Sequence, residues 1–208
     1  MRFPRTVIGI AAAITITSVG VGLQVRSASA NTPVARARLT LADGTKIGSV
    51  RFWDDEGDGR TVVRVVIAVP AGKAAPGAFH GFHIHANNDP ANGSGCVADP
   101  AAVPATWFVS ADGHFRHDAA AVHGGHAGDL PTIYLDAHGR GEARFTVDRI
   151  TPAELPDKAV ILHAGADNFG NVPVGAGPDQ YAANSAAATT KTANTGNAGD
   201  RIACGVIR

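Results

Sequence analysis

Nine histidines stand in this chain, all between His80 and His163. His83 and His85 flank Ile84 in Gly81-Phe82-His83-Ile84-His85. Side chains alternate along an extended segment, so both imidazoles would project from one face while Phe82 and Ile84 enter a core on the other. His163 ends the apolar run Ala159-Val160-Ile161-Leu162, and His114 follows a further strand-like stretch. Three or four imidazoles converging on one point suit copper, which heads the divalent affinity order and favours nitrogen donors. Downstream, His123-Gly124-Gly125-His126-Ala127-Gly128-Asp129 sets two histidines and a carboxylate within seven residues. With one more histidine they would make a tetrahedral zinc site.

The elements that must position these groups read as β. Ala35, Ala37, Leu39 and Leu41 alternate with Arg36, Arg38 and Thr40, the period of a half-buried strand. Asp43-Gly44 signals a hairpin turn into a strand over Ile47–Trp53. Gly57-Asp58-Gly59 turns the chain again into Thr61–Val69. Further strands are expected at Gly81–His85, Ala105–Val109, Thr132–Leu135, Ala143–Val147, Ala159–His163 and Arg201–Ile207. No window shows sustained helical periodicity; only Thr151–Leu155, with Pro152 at the first position, reads as a single helical turn. About eight short strands with turn-rich links predict an all-β, antiparallel sandwich or barrel. Three connections, 86–104, 110–131 and 164–200, are too long for turns and are candidates for function. The third ends in a tract over Ala182–Gly199, rich in Ala, Thr, Asn and Gly, which alone would pass for a linker.

Eighteen basic residues balance 18 acidic ones, a formal net charge of zero, which argues against a nucleic-acid partner. The N-terminus has the layout of a secretory leader: Arg2 and Arg5, an uncharged apolar run over Thr6–Leu23, then Ala28-Ser29-Ala30. We therefore expect residues 1–30 to be a cleaved signal peptide and 31–208 to be one secreted, extracytoplasmic domain of the periplasm or cell envelope, with no stable membrane insertion after cleavage. An uncleaved anchor is the alternative. Cleavage would remove Arg2, Arg5 and Arg26 and no acid, leaving 15 basic against 18 acidic residues, a net charge of −3. Two cysteines in an exported chain most simply form one disulfide, Cys96–Cys204; two buried free thiols are the alternative.

Gly81-Phe82-His83-Ile84-His85, His126-Ala127-Gly128-Asp129-Leu130, His163-Ala164-Gly165-Ala166-Asp167-Asn168 and Gly199-Asp200-Arg201-Ile202-Ala203-Cys204-Gly205 occur here in one order. The set resembles the secreted bacterial copper/zinc superoxide dismutases, from about Ala35 to the C-terminus. The resemblance implies an eight-stranded Greek-key barrel that converts superoxide to oxygen and hydrogen peroxide. By its motifs His83, His85, His114 and His163 would hold copper, and His114, His123, His126 and Asp129 would hold zinc, with His114 bridging the two ions and taking part in catalysis. Asp167 would be the carboxylate linking a copper histidine to a zinc histidine. Arg201 would attract and position the superoxide anion, with Lys191 a further source of positive potential, and Cys96–Cys204 would be the family disulfide.

The chain departs from the pattern in its short zinc loop, where only two glycines separate His123 from His126. His117 is a competing nitrogen donor, so a zinc site using His117, or a copper-only dismutase, stays open. So do a non-catalytic copper carrier on the same fold and a homodimer. A zinc hydrolase lacks an evident catalytic base. His80 is expected to make a structural hydrogen bond under the copper loop, and His138 to sit solvated in a turn. Trp53 and Trp107 read as packing residues, and Asp54-Asp55-Glu56 as a solvated hairpin.

Overall fold

The alternation read in the first strand reappears as burial. In a computed structural model describing residues 32–55, 58–169 and 186–208, β1 (Ala35–Leu41) buries Ala35, Ala37, Leu39 and Leu41 and exposes Arg36 and Arg38. The expected leader, Glu56 and Gly57 of the second turn, and residues 170–185 of the third long loop lie outside the described residues. Asp43-Gly44 makes the first hairpin: Gly44 takes φ +83°, and Asp43 Oδ1 accepts from the Thr45 amide at 3.0 Å. β2 (Lys46–Asp54) and β3 (Thr61–Ala68) follow in antiparallel register, with Val50 facing Val65 and Phe52 facing Val63.

β1, β2, β3, β5 (Phe82–His85), β7 (Arg140–Val147), β8 (Ala159–His163) and β9 (Arg201–Val206) form a seven-stranded antiparallel sheet in the order β5-β8-β9-β1-β2-β3-β7. β4 (Ala78–His80) pairs with β6 (Ile133–Leu135) in a separate two-stranded sheet. That pair closes the gap between the two sheet edges. β4 runs through Gly81 directly into β5, while β6 turns tightly into β7, where the Asp136 amide donates to Arg140 O at 2.8 Å. Counting β4 and β5 as one strand interrupted at Gly81 gives the eight strands of the expected antiparallel Greek-key barrel. Leu39, Val50, Phe52, Phe82, Ile84 and Leu162, all fully buried, fill its interior. Burial of such apolar area is the main favourable term in folding.

Two expectations fail. Ala105–Val109 is not a strand: short 3₁₀ turns at Pro104–Thr106 and Val109–Ala111 flank Trp107 and Phe108. Phe108 sits at φ 57° and packs with Ala111, Ile161 and Cys204 in a second, smaller core. Pro104 opens a turn and the left-handed Phe108 follows four positions later, and together they break the extended path. The tract over Ala182–Gly199 is also not simply a linker, because Ala186–Thr195 forms a helix, α1. Ala, Thr and Asn show no apolar stripe, so no helical signal was readable. The single turn at Thr151–Leu155 is present as Pro152–Glu154, with Glu154 accepting from the Thr151 amide at 2.8 Å.

Candidate metal centre

β5 borders β8 on one side only, and its free edge is taken by two loop segments. Ile84 N donates to Gly128 O and Phe115 N donates to Ile84 O, both at 2.8 Å. His83 pairs with Asp129 and His85 with His114 across single antiparallel bridges. A Cβ on Gly128 would lie 2.1 Å from Ile84 O, so only glycine permits this approach. Backbone pairing alone thus brings both histidine-bearing segments of the 110–131 connection onto the strand that carries His83 and His85.

The imidazoles of His83, His85, His114 and His163 converge there, all buried, each offering one nitrogen within 4.8 Å of the others. The second nitrogen of three of them is committed elsewhere. His85 Nδ1 faces Asp112 O at 2.8 Å, His163 Nδ1 faces Gly199 O at 3.1 Å, and His83 Nε2 faces Asp167 Oδ2 at 3.1 Å. Proton donation to those oxygens leaves a lone pair on His83 Nδ1, His85 Nε2 and His163 Nε2. These three atoms and His114 Nε2 are buried without a hydrogen-bond partner. Such groups cost free energy unless something binds them. Burial, reinforced by neighbouring imidazoles, pushes His83 down to about 2 and holds His85 and His163 well below the usual histidine range. All three are therefore neutral imidazoles at pH 7.

On the other side of His114, Asp129 Oδ1 lies 2.8 Å from His114 Nδ1 and 3.2 Å from the Nδ1 atoms of both His123 and His126. His126 Nδ1 is also 3.4 Å from His114 Nδ1. One carboxylate oxygen cannot satisfy three imidazoles, whereas one cation can be shared by all four groups. Burial pushes the Asp129 carboxyl up, but contacts from His114 and His123 outweigh it and hold the group below the usual carboxylate range. A quartet of His83, His114, His123 and Asp129 also converges within 4.8 Å. It differs from the expected zinc set by holding His83 where His126 was expected; His126 joins through Asp129 and His114. Asp167 lies between the two groups, 3.0 Å from His83 Nε2 and 3.7 Å from His123 Nε2, and burial pushes it up to about 6.

Arg201, in β9, donates to Asp112 O through Nη2 at 2.5 Å and to Phe108 O through Nη1. Burial lowers its pKa, opposed by Asp112. Asp112 O thus receives both His85 and Arg201, and fixes one relative to the other. The Asp112 carboxylate accepts from the Asn88 and Asp89 amides at 2.5 and 2.8 Å and so folds the loop that supplies this carbonyl. Cys96 and Cys204 form the expected disulfide.

His117 is exposed and pairs with Glu154 Oε1 at 2.6 Å, away from both sets. His80 is fully buried, its Nδ1 2.8 Å from His163 O and its Nε2 2.9 Å from Ala75 O. His138 is exposed in its turn, and Lys191 is exposed on α1. Trp107 donates to Asp99 O at 2.8 Å, and Asp55 pairs with Arg60 at 2.7 Å. Asp112, Gly199 and Arg149 carried no signal, because their work is done through or upon backbone carbonyls. Arg149 Nη1 donates to Gly124 O at 2.8 Å and so ties down the zinc-type loop.

The copper/zinc superoxide dismutase family model matches residues 46–207. The chain belongs to this family. It is 34% identical over 196 residues to a Cu-Zn superoxide dismutase of Mycolicibacterium paratuberculosis, a match covering 87% of this chain and 77% of that one. It is 35% identical over 177 residues to the Cu-Zn superoxide dismutase of Mycobacterium tuberculosis, covering 81% and 68%. The solved Cu/Zn superoxide dismutase from Brucella abortus superposes with a TM-score of 0.57 at 21% identity, covering 84% of this chain and 99% of that one, a likeness of fold. The protein is accordingly an oxidoreductase, and copper and zinc are the cofactors of its family.

Proposed function

We propose that His83, His85, His114 and His163 hold copper, that His114, His123, His126 and Asp129 hold zinc, and that superoxide is removed at the copper side beside Arg201. The observation that carries this assignment is the set of four buried nitrogens, one on each of the first four residues, that lack any protein partner. Copper held by the first four residues would supply one-electron redox chemistry toward superoxide, and zinc held by the second set would supply fixed charge without redox activity. The protein's own part is positional. Asp112 O and Gly199 O fix the protons of His85 and His163, Asp167 joins His83 to His123, and Arg201 offers a partly buried cation to an arriving anion.

Export is part of the same proposal. The N-terminal leader layout and the Cys96–Cys204 disulfide support an extracytoplasmic enzyme cleaved after Ala30. N-terminal sequencing of the secreted protein tests it, and a mature chain that retains Met1 would refute cleavage. For the site, metal analysis of purified protein should give copper and zinc each near one per chain, with superoxide removal far above free copper. His163→Ala should lose copper and activity. Copper near one with negligible zinc would leave a copper-only dismutase, and activity at the free-copper rate would leave a carrier.

A further inference from the structure

On the barrel face formed by β1, β2, β3 and β7, the strand registers align four arginines in one row. Arg36 stands opposite Arg51, Arg51 opposite Arg64, and Arg64 opposite Arg144. All four are exposed. Neighbouring strands lie about 4.8 Å apart, so the row spans about 14 Å. Among the described residues only Arg64 has an ion-pair partner, Glu142 at 2.7 Å, and Glu142 is the single exposed carboxylate in these four strands. Arg38 stands in the next register row, opposite Ser49. Between Arg51, Arg64, Ser49 and Val66 lies a shallow depression of about 230 Å³. Like charges directly opposite each other destabilise a sheet, and a chain of zero formal net charge has no compositional reason to line them up. None of these residues touches the metal centre, which sits at β5 and β8.

We infer that this row is a binding surface for a linear, flexible phosphate polymer of the polyphosphate type. Guanidinium forks pair with phosphate oxygens in bidentate fashion, and the row supplies them at a regular pitch along one line. Sheet twist turns the row by roughly 20–25° per strand, so a flexible chain can follow it, whereas a flat bilayer would meet only part. Val34 and Val66 are the large apolar side chains exposed beside the row, two small valines at separate points, so the face lacks the aromatic and long apolar anchors of a membrane-binding surface. It also lacks a series of exposed aromatic rings on which bases of a single-stranded nucleic acid would stack.

The test is a titration of the intact metal-loaded protein with labelled long-chain inorganic polyphosphate at 50 and 200 mM salt. Four phosphate contacts on a linear polyanion should weaken binding about 50-fold across that range, and two contacts about 7-fold. Arg51→Gln/Arg144→Gln should therefore bind more weakly and show the shallower salt dependence, with superoxide removal unchanged. Lys73→Gln/Lys158→Gln, which alters net charge equally elsewhere, should bind like the parent. The inference is overturned if polyphosphate does not bind at 50 mM salt, or if both double variants weaken binding alike. It also fails if an oligothymidylate, or vesicles containing 30% phosphatidylglycerol, bind more tightly than polyphosphate.

Discussion

Removing the disulfide should do two separable things. The bridge joins Cys96 to Cys204 across 108 residues. In the chain-entropy model a loop of that length contributes about 5 kcal/mol at 25 °C, equivalent to about 10–20 °C in Tm for a domain of this size. Cys204 is fully buried, so Cys96→Ser/Cys204→Ser also places a hydroxyl there, and reduced wild-type protein is the cleaner comparison. The second consequence is local. Cys96 lies in a loop laced to the segment that holds Arg201: Ser110 Oγ donates to Gly95 O at 2.7 Å, Val97 N donates to Ser110 Oγ at 3.1 Å, and Phe108 N donates to Val97 O at 2.9 Å. Phe108 O and Asp112 O then grip the guanidinium. Reduction should therefore free Arg201 as well as lower stability. Denaturant unfolding of oxidised and reduced protein, with matched metal content, gives the first quantity. Superoxide removal against ionic strength gives the second, because a misplaced arginine attracts the anion less and flattens the salt dependence. A stability difference below about 1 kcal/mol would refute the entropic argument, and an unchanged salt profile in folded, reduced enzyme would refute the coupling to Arg201.

Other perturbations test the loops one at a time. Gly128→Ala puts a methyl 2.1 Å from Ile84 O, so the zinc-type loop must leave β5; zinc per chain should fall, stability should drop by about 1–3 kcal/mol as is typical of overpacking, and full zinc at an unchanged unfolding midpoint would contradict the account. Asp167→Asn keeps the shape but removes the negative charge between His83 and His123; metal affinity measured by chelator competition should drop about 10- to 100-fold. Glu154 is a test of pH linkage. Burial pushes its carboxyl up, but the Thr151 amide and His117 outweigh it and hold it below the usual value. A depressed carboxyl contributes stability above its unfolded pKa and loses it as pH falls through the folded one. Glu154→Gln should therefore cost about 0.5–1 kcal/mol at pH 7, as a partly exposed cap does, and should flatten the loss of stability below about pH 4.5. Identical acid limbs for both proteins would disprove the linkage.

Where periodicity governs, the chain was readable. Alternation alone puts His83 and His85 opposite Phe82 and Ile84, and the fold keeps those faces, with Phe82 and Ile84 in the core. The strands with a clean period of two, β1 to β3, were placed within a residue or two of their ends. Loops have no such period. His117 and His123 were indistinguishable as donors by residue type, and what separates them is tertiary. His123 N donates to Ala193 O of α1 at 2.5 Å, and its ring stacks on Phe169 at 5.4 Å. His117 is instead drawn outward to Glu154. β4 was missed because three residues are too few to show alternation, and the apolar residues around Phe108 mimicked a strand while building the second core.

The same loops explain why the centre can be ready before any ion arrives. An imidazole ligand must present a lone pair from a fixed nitrogen, and a freely rotating histidine would have to be ordered during binding. Here His85 and His163 are held by Asp112 O and Gly199 O, and His83 by Asp167. Two of the three acceptors are backbone carbonyls, so the ordering depends on loop geometry rather than on side chains. Glycine freedom is spent on that geometry: Gly199 takes φ +80° where its carbonyl meets His163, and a Cβ at Gly81 would meet Asp167 Oδ1 at 2.7 Å. Arg201 shares the Asp112 carbonyl with His85, so any shift of the loop moves the His85 imidazole and the Arg201 guanidinium together. A disulfide closing that loop thus constrains the distance between Arg201 and His85, the distance on which the proposed anion capture depends. It does so through a bond that lies outside the metal shell itself.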